Sequence, residues 1–386
     1  MDHVSGSKIF NRTDRSVLNI WWWTVDRWTM VAIFTLLLIG GFMSLSISGA
    51  TGGRIGLDTF YLARHHLIMI PAAVIILLFF SLMTLRQLFW LSCIVLIGMI
   101  FLAALTPLIG TEIKGARRWI RLVGFSLQPS EFIKPAFALV AAWLLSRQPS
   151  PLKSWKGFLS SWGGSFLLYG LIIFLLIRQP DLGMAFVVSL TWFSQLFFAG
   201  LHRFWILIVL VGGVVGLLAA YTFLPHVAAR VDRFLNPESG DNFQINQSLA
   251  AFAHGGLYGK GPGEGTVKRS IPDAHSDFVF AVIGEELGLI VCVFVVGIYC
   301  FIFLRGMSRL LRESSLFILL ATSGILLSFT LQAMINIASA INLIPTKGMT
   351  LPFISYGGSS MLAVSMAMGM FLSLTRQRPG QIEGLP

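Results

Sequence analysis

One acidic side chain, Asp277, lies where a polar segment of the sequence meets an apolar one. It belongs to the run Ile271-Pro-Asp-Ala-His-Ser-Asp-Phe-Val-Phe280. A carboxylate at such a boundary, flanked by cations, is suited to act as a general base for a hydroxyl nucleophile. The alternative interpretation is a helix N-cap at Ser276 or Asp277. Glu285 follows eight residues later, so a helix through both positions would place it about two turns deeper on the same face.

A second ionisable pair lies in the run Gln128-Pro-Ser-Glu-Phe-Ile-Lys134. Glu131 and Lys134 are three residues apart, on one face of a helix, where they can pair. A capped, self-neutralised helix end is one interpretation, while ionisable groups at membrane depth usually indicate function. Both interpretations stay open, and a pair that anchors a neighbouring catalytic group would satisfy both.

Two further motifs carry charge near turns. In Arg178-Gln-Pro-Asp-Leu-Gly183, the proline ends one helix and Asp181 caps the next, and Arg178 could join a cationic surface. The run Arg117-Arg118-Trp-Ile-Arg121 is either an anion site or ordinary loop charge. Phosphate is the natural anionic ligand for such a cluster.

Glycines recur between residues 255 and 265, around Lys260. A phosphate-binding P-loop is excluded, because Gly261 follows Lys260 and position 254 is histidine. The segment is either a compact loop whose backbone N–H groups, with Lys260, Lys268 and Arg269, approach an anion, or a merely flexible loop.

Other catalytic arrangements find no support in the sequence. His275, Ser276 and Asp277 are contiguous and so cannot face one another as a triad. No HExxH or CxxC motif occurs, and the seven histidines are scattered, which argues against a metal cage. A stripe of polar residues in one apolar stretch, at positions 328, 332, 336 and 339, favours helix–helix contacts over a substrate path.

The elements that must position these residues are membrane helices. Of 386 residues, 55% are hydrophobic and 12% charged, with a mean hydropathy of +0.79, which excludes a water-soluble enzyme. We predict an all-α polytopic membrane protein with about ten transmembrane helices. The predicted spans are 28–48, 65–84, 88–108, 131–146, 162–178, 182–200, 203–223, 278–304, 315–341 and 358–375.

The distribution of Lys and Arg predicts which side of the membrane each loop faces. Lys and Arg number 28 and Asp and Glu 17, and the cations of the short loops favour the side that holds both termini. We therefore expect cytoplasmic tails at 1–27 and 376–386, a membrane domain at 28–375 and a long extracytoplasmic loop at about 224–277. Cations bunched in 107–134 and 224–277 indicate an anionic ligand on the outer side.

Together these segments resemble the SEDS family (shape, elongation, division and sporulation), polytopic peptidoglycan polymerases typified by FtsW and RodA. The carriers are five motifs in order: Gly115-Ala-Arg-Arg-Trp-Ile120, Gln128–Lys134, Gln179-Pro-Asp-Leu-Gly183, Ala274–Phe280 with Gly284-Glu-Glu-Leu-Gly288, and Pro345-Thr-Lys-Gly-Met-Thr-Leu-Pro-Phe-Ile-Ser-Tyr-Gly-Gly-Ser359. The Thr-Lys-Gly of the last motif resembles the division-type FtsW branch. Ser276 and Val279 stand where many members have Thr and Ile.

The resemblance implies an inner-membrane glycosyltransferase that polymerises lipid II on the outer face for septal wall synthesis. It implies Asp277 as catalytic aspartate and Glu131 with Lys134 as supporting ion pair, and it implies that the Arg117-Arg118 cluster and the long loop face the substrate. We expect Arg117, Arg118, Lys260 and Lys134 to neutralise the pyrophosphate. The expected partner is a class B penicillin-binding transpeptidase, with other division proteins and without nucleic acid. No cofactor is required by the sequence, although a divalent cation (Mg²⁺ or Mn²⁺) could help neutralise the diphosphate.

Three alternatives remain beside this function. The first is a lipid II flippase or other transporter, which would need substrate cations on both faces and broken helices near the midplane. The second is an elongation-type RodA polymerase. The third is a membrane scaffold without catalytic activity that recruits division proteins.

Overall fold

The computed structural model describes residues 16–55, 60–113, 116–122, 125–147, 155–201, 203–223, 225–235, 243–345 and 348–377. This part of the chain is mostly helical. The helices are α1 (Val17–Thr24), α2 (Arg27–Ile55), α3 (Tyr61–Leu82), α4 (Leu85–Ile109), α5 (Pro129–Ser146), α6 (Trp155–Arg178), α7 (Leu182–Phe198), α8 (Arg203–Phe223), α9 (Pro225–Leu235), α10 (Phe243–Gly255), α11 (Val279–Leu310), α12 (Leu316–Ala340) and α13 (Gly358–Leu374).

Each of the ten predicted spans coincides with one of these helices, so the polytopic helical class is confirmed. Five helices, α2, α3, α4, α11 and α12, are long and apolar enough to cross a membrane. Shorter apolar stretches lie in α6, α7, α8 and α13. Apolar side chains on α3 and α4, such as Ile75 and Ile97, are about two-thirds exposed, as expected of surfaces that face lipid.

Helix α12 lies at the centre of the bundle. Inside the protein, 72% of its most apolar stretch is buried, against 28% for α3 and α4. It packs against α5, α7, α11 and α13. Small residues of α5, including Ala138 and Ala142, are fully buried and allow close approach. The Gln195 amide of α7 donates to the carbonyls of Ala138 (2.6 Å) and Leu320 (3.0 Å), which ties the three helices together.

Two predicted loops have regular structure. The segment 107–134 contains an antiparallel sheet in the order β1 (Thr111–Ile113), β2 (Ala116–Leu122) and β3 (Phe125–Leu127), so the chain is not purely α-helical. The long loop contains α9, α10 and a 3₁₀ turn at Val267–Arg269, and α10 packs on α11. The predicted tails at 1–27 and 376–386 lie partly outside the described residues, and α1 and the start of α2 fall within the first.

Candidate active site

The turn that carries Asp277 is held at three consecutive backbone carbonyls. The carbonyl of His275 accepts from the Tyr356 N–H (2.8 Å), and that of Ser276 accepts from the Ser355 hydroxyl (2.5 Å). The carbonyl of Asp277 accepts from the side-chain amide of Asn336 (3.0 Å). The backbone below the carboxylate is therefore fixed by groups far away in sequence.

The segment after α12 also borders the carboxylate itself. Gly348 has a φ of +65°, a conformation that favours glycine, and a Cβ built there would lie 3.4 Å from Asp277 Oδ2. The same Asn336 amide donates to the Met349 carbonyl at 2.6 Å. One amide thus joins the Asp277 turn to the segment that lines it. Lys347, a cation of the same motif, lies outside the described residues.

The predicted ion pair is present and buried. Lys134 Nζ lies 2.8 Å from Glu131 Oε2, and both side chains are at most 5% exposed. Lys134 also donates to Gln332 on α12 at 2.6 Å. The Gln332 amide then donates to the Thr350 carbonyl (3.2 Å) and hydroxyl (3.1 Å). Lys134 is therefore buried between Glu131 and Gln332, and through Gln332 it supports Thr350.

Arg118 is held by the turn between α6 and α7. Its guanidinium donates to the carbonyls of Gln179 (3.2 Å) and Pro180, and lies 3.5 Å from the Asp181 carboxylate. Asp181 caps α7 by accepting from the Met184 N–H (3.4 Å), as predicted. Burial raises the pKa of Asp181 above its ordinary value, and the charge of Arg118 opposes that shift.

The Asp181 cluster adjoins the ion pair. The Gln128 amide donates to Asp181 Oδ2 (3.3 Å) and to the Ser130 hydroxyl (3.2 Å), at the start of the helix that carries Glu131. The charges of Glu131 and Lys134 both act on Asp181. Three motifs that are separate in the sequence therefore form one polar cluster.

The remaining predicted cations are exposed. Arg117 and Arg118 are neighbours on strand β2, so their side chains point to opposite sides. Arg117 is half-exposed and pairs with the exposed Glu112 at 3.3 Å. Arg178 and Lys260 are exposed, and within the described chain their side chains make no hydrogen bond or ion pair. Of the predicted diphosphate ligands, Arg117 and Lys260 are thus open to a ligand, whereas Arg118 is committed to the turn.

Glu285 does not share a helical face with Asp277, contrary to expectation, because α11 begins only at Val279. Glu285 is fully buried and accepts from the backbone N–H groups of Val267 (2.7 Å) and Lys268 (2.8 Å), with His254 Nδ1 at 3.0 Å. It fixes the 3₁₀ turn of the long loop to α11.

Lys268 lies in the same part of the fold, and its predicted anion-binding role is wrong. Its side chain is 2% exposed and pairs with the buried Glu286. The Ser46 hydroxyl of α2 donates to Glu286 Oε1 at 2.7 Å. A buried, paired ammonium of this kind joins the loop, α11 and α2 and is unavailable to a ligand.

The glycine-rich segment packs closely on a break in α11. Gly288 has a φ of +77°, which interrupts the helix. The N–H groups of Lys260 and Gly261 donate to the carbonyls of Glu285 and Glu286, each at 3.0 Å. A Cβ on Gly259 would lie 2.2 Å from the Glu286 carbonyl oxygen, so a side chain cannot be accommodated. These glycines serve close backbone packing, and two of the N–H groups proposed for an anion are already used.

The described residues contain no group of three or more His, Cys, Asp or Glu side chains that could hold a metal ion. A divalent cation therefore stays an expectation, and no chemical step is assigned to one.

Sequence reasoning missed the residues that position Asp277. The helix–helix contacts predicted for the polar stripe are present at Gln332, which bonds to Lys134 of α5 and Ser360 of α13. The sequence did not indicate that Gln332 and Asn336 also bind loop segments. Ser355 and Tyr356 belong to the motif at Pro345–Ser359, for which the sequence predicted no structural role. The available signal was the four-residue spacing of Gln332 and Asn336, which places two amides one turn apart on a buried helix.

The chain is similar to known proteins over most of its length. A family model for FtsW, RodA and SpoVE, described as "Cell cycle protein", matches residues 27–379. A Caulobacter vibrioides protein named "Probable peptidoglycan glycosyltransferase FtsW" is 40% identical over 96% of this chain and 94% of its own length. The protein of that name from Coxiella burnetii is 37% identical over 91% and 96%.

Solved structures share the fold. One chain, from a study of a peptidoglycan synthase complex that coordinates polymerization and crosslinking, has a TM-score of 0.74 and 26% identity, covering 91% of this chain and 97% of that one. The rod shape determining protein RodA of Thermus thermophilus has a TM-score of 0.67 and 26% identity, covering 92% and 97%. With its motifs, its polytopic helical fold and these matches in agreement, the chain belongs to the FtsW/RodA/SpoVE family.

Proposed function

We propose that this protein is a peptidoglycan glycosyltransferase that polymerises lipid II into β-1,4-linked glycan strands. The observation that carries the proposal is the clamp on three consecutive carbonyls, which holds Asp277 at the start of a membrane helix. A general base must be held in register with its substrate to be effective, and this turn is fixed by bonds from two distant segments.

In the proposed reaction, the Asp277 carboxylate removes the proton from the 4-hydroxyl of a GlcNAc unit. That oxygen attacks C1 of the partner MurNAc, the new C1–O4 bond forms, and the bond from C1 to the diphosphate breaks with inversion. Undecaprenyl diphosphate leaves with the electron pair, and the proton passes from Asp277 to water. Base catalysis typically supplies about 10²–10⁴ in rate, so positioning and charge neutralisation must supply the remainder.

The exposed cations Arg117, Arg178 and Lys260 are proposed to neutralise the diphosphate as its charge grows. The two less exposed cations have a different role. Arg118 and Lys134 are proposed as positioning residues, because one holds the turn at Asp181 and the other supports residues 348–350.

The polar residues of α12 argue against the transport alternative. Both amides that could line a path, Gln332 and Asn336, are at most 2% exposed and bind protein carbonyls and hydroxyls. They form part of the support of the Asp277 turn, as a polymerase requires.

We further propose that the chain lies in the bacterial inner membrane at the division septum, with both termini cytoplasmic and Asp277 on the outer face. A class B penicillin-binding transpeptidase is the proposed partner, together with other division proteins. Support comes from the division-type relatives and from the structural neighbour, whose description couples polymerization to crosslinking.

The function is tested by incubating the purified chain with lipid II and its transpeptidase partner. We expect glycan strands that a lysozyme-type hydrolase digests. Movement of lipid II across vesicles without any digestible product would contradict the proposal, and so would the absence of both activities. Sidedness is tested separately by labelling K260C with a membrane-impermeant maleimide in spheroplasts. Lack of labelling until the membrane is opened would contradict the outer location.

A further inference from the structure

A cationic cavity lies at the opposite end of α11 from Asp277. Its volume is about 450 Å³, and the described residues that line it include Arg305, Arg309, Arg312, Arg376 and one carboxylate, Glu313. The 22 residues of α11 that follow its break at Gly288 alone span about 33 Å, so this end lies far from the Asp277 turn. The cavity is therefore separate from the candidate active site.

A neighbouring cavity of about 240 Å³ shares Arg305 and Arg309 and adds Arg27 and Asp26. The Asp26 carboxylate is fully buried and bonds to Nε of Arg305 (2.8 Å) and Nε of Arg309 (3.0 Å). One buried carboxylate thus faces two guanidinium groups, so an excess of positive charge remains at the shared wall.

Part of this charge has no protein acceptor in the described chain. The terminal amino groups of Arg305 donate no hydrogen bond there, and neither does the guanidinium of Arg312. Glu313 is directed elsewhere, since it accepts from the Ser315 N–H at 3.0 Å beside the start of α12. These donors are arranged for an anion with several oxygens.

The surface beside the cavity is apolar, as it must be to contact the acyl chains of a lipid. Phe301 and Leu304 of α11, with Leu311 directly after its end, lie along one side of the helix and are 40%, 65% and 84% exposed. Trp28 is 66% exposed, and Arg27 lies 5.3 Å from the ring centre of Trp23. Exposed tryptophans beside arginines mark the level of the lipid headgroups.

We propose that this cavity binds the headgroup of an anionic phospholipid, with its phosphate on Arg305, Arg309 and Arg312. The acyl chains lie along the apolar face of α11. Basic pockets between transmembrane helices are suited to such headgroups, and the adjoining apolar face distinguishes a lipid from free phosphate. The bound lipid joins the start of α2 to the ends of α11 and α13, all of which line the two cavities.

The experiment measures the melting temperature of the full chain in a neutral detergent. Three additions are compared at fixed ionic strength: phosphatidylglycerol, phosphatidylcholine and inorganic phosphate. We expect a saturable rise with phosphatidylglycerol alone, because a ligand of the folded state stabilises it by mass action. Equal rises with phosphatidylcholine would overturn the proposal. A rise with inorganic phosphate as large as with phosphatidylglycerol would also overturn it, by showing an anion site without lipid preference.

Two variants test the site further, because R312Q removes a positive charge from the cavity and E313Q removes a negative one. R312Q should weaken the apparent affinity for phosphatidylglycerol about fivefold, the worth of one basic residue at an anionic surface. R312K should bind as wild type does, and E313Q should bind more tightly because it removes the only carboxylate among the described residues that line the larger cavity. The matched control is R86Q, an exposed arginine at the same end of the bundle, since the Ser373 hydroxyl of α13 donates to the nearby Met83 carbonyl at 2.8 Å.

Equal affinities of R312Q, E313Q and R86Q for phosphatidylglycerol would overturn the assignment of the site. The cations would then be assigned to binding an acidic protein partner. Arg312 and Arg86 are both exposed, so neither substitution threatens folding. The readout requires no polymerisation, so the failure of this inference is distinguishable from a failure of the proposed function.

Discussion

Replacing Asn336 by leucine removes the amide that joins the Asp277 turn to the segment beside it. Leucine has a similar volume but cannot donate, so the carbonyls of Asp277 and Met349 each lose a hydrogen bond of 3.0 and 2.6 Å. A buried acceptor left without a partner costs about 1–3 kcal/mol, so for two acceptors we expect the free energy of unfolding to fall by about 2–6 kcal/mol.

Activity should fall further than this loss of stability explains. Freed of the amide, the Asp277 turn can shift, and misplacement of a catalytic group by about 1 Å costs about a hundredfold in rate. We therefore expect the kcat of polymerisation by N336L to fall about a hundredfold, at matched concentrations of folded protein. The KM for lipid II should change little, because Asn336 is 1% exposed and does not meet the substrate.

The matched control is S339A, one turn further along α12. The Ser339 hydroxyl donates to the Asn336 carbonyl of its own helix at 2.8 Å, so its loss should cost about 1 kcal/mol and leave kcat unchanged. Should N336L polymerise at the wild-type rate, or should S339A lose as much activity, the assignment of Asn336 as a positioning residue is refuted.

Two further predictions concern the support of the site. G348A should strain a backbone at a φ of +65° and press a methyl group toward Asp277 Oδ2, whereas G263A has a φ of +84° with nothing within 4 Å. Both should lose about 1–2 kcal/mol of stability, but only G348A should lose at least about tenfold in kcat; equal activities would contradict this reasoning. K134M should lower the free energy of unfolding by about 3–5 kcal/mol, because it leaves the buried Glu131 unpaired. The double variant E131Q/K134M should recover part of that loss in denaturant unfolding, and a double variant less stable than K134M would show that the pair does not act as one unit.

The spans were predictable because each is a long apolar run, and no other secondary structure buries its backbone polar groups in lipid so simply. The pairing of Glu131 with Lys134 was predictable for a related reason, since a spacing of three places both on one helical face. These features depend only on residues close together in the sequence.

The clamp on Asp277 was not predictable in that way. Its donors come from Asn336, Ser355 and Tyr356, which are 59, 79 and 81 residues from their acceptors. A helix through both Asp277 and Glu285 does not form, because the turn before Val279 is closed by bonds to the Asp273 carbonyl, including one from the Asp277 N–H at 3.1 Å.

The roles of the cations could also be assigned only from the fold. A sequence shows how many arginines a segment carries but not which of them meet a carboxylate. Strand alternation separates Arg117 from Arg118, and a turn from another part of the chain then pairs with Arg118. Lys268 likewise meets Glu286 only because the long loop folds back on α11.

The most direct measurement is the polymerisation rate of D277N, taken with lipid II binding on the same sample. Asparagine keeps the shape and the backbone bonds of the turn but cannot accept the proton. We predict binding close to that of wild type and a loss of about 10²–10⁴ in rate, while D273N, which removes a carboxylate four residues away in the same turn, keeps its activity. Turnover by D277N at the wild-type rate would show that Asp277 is not the base.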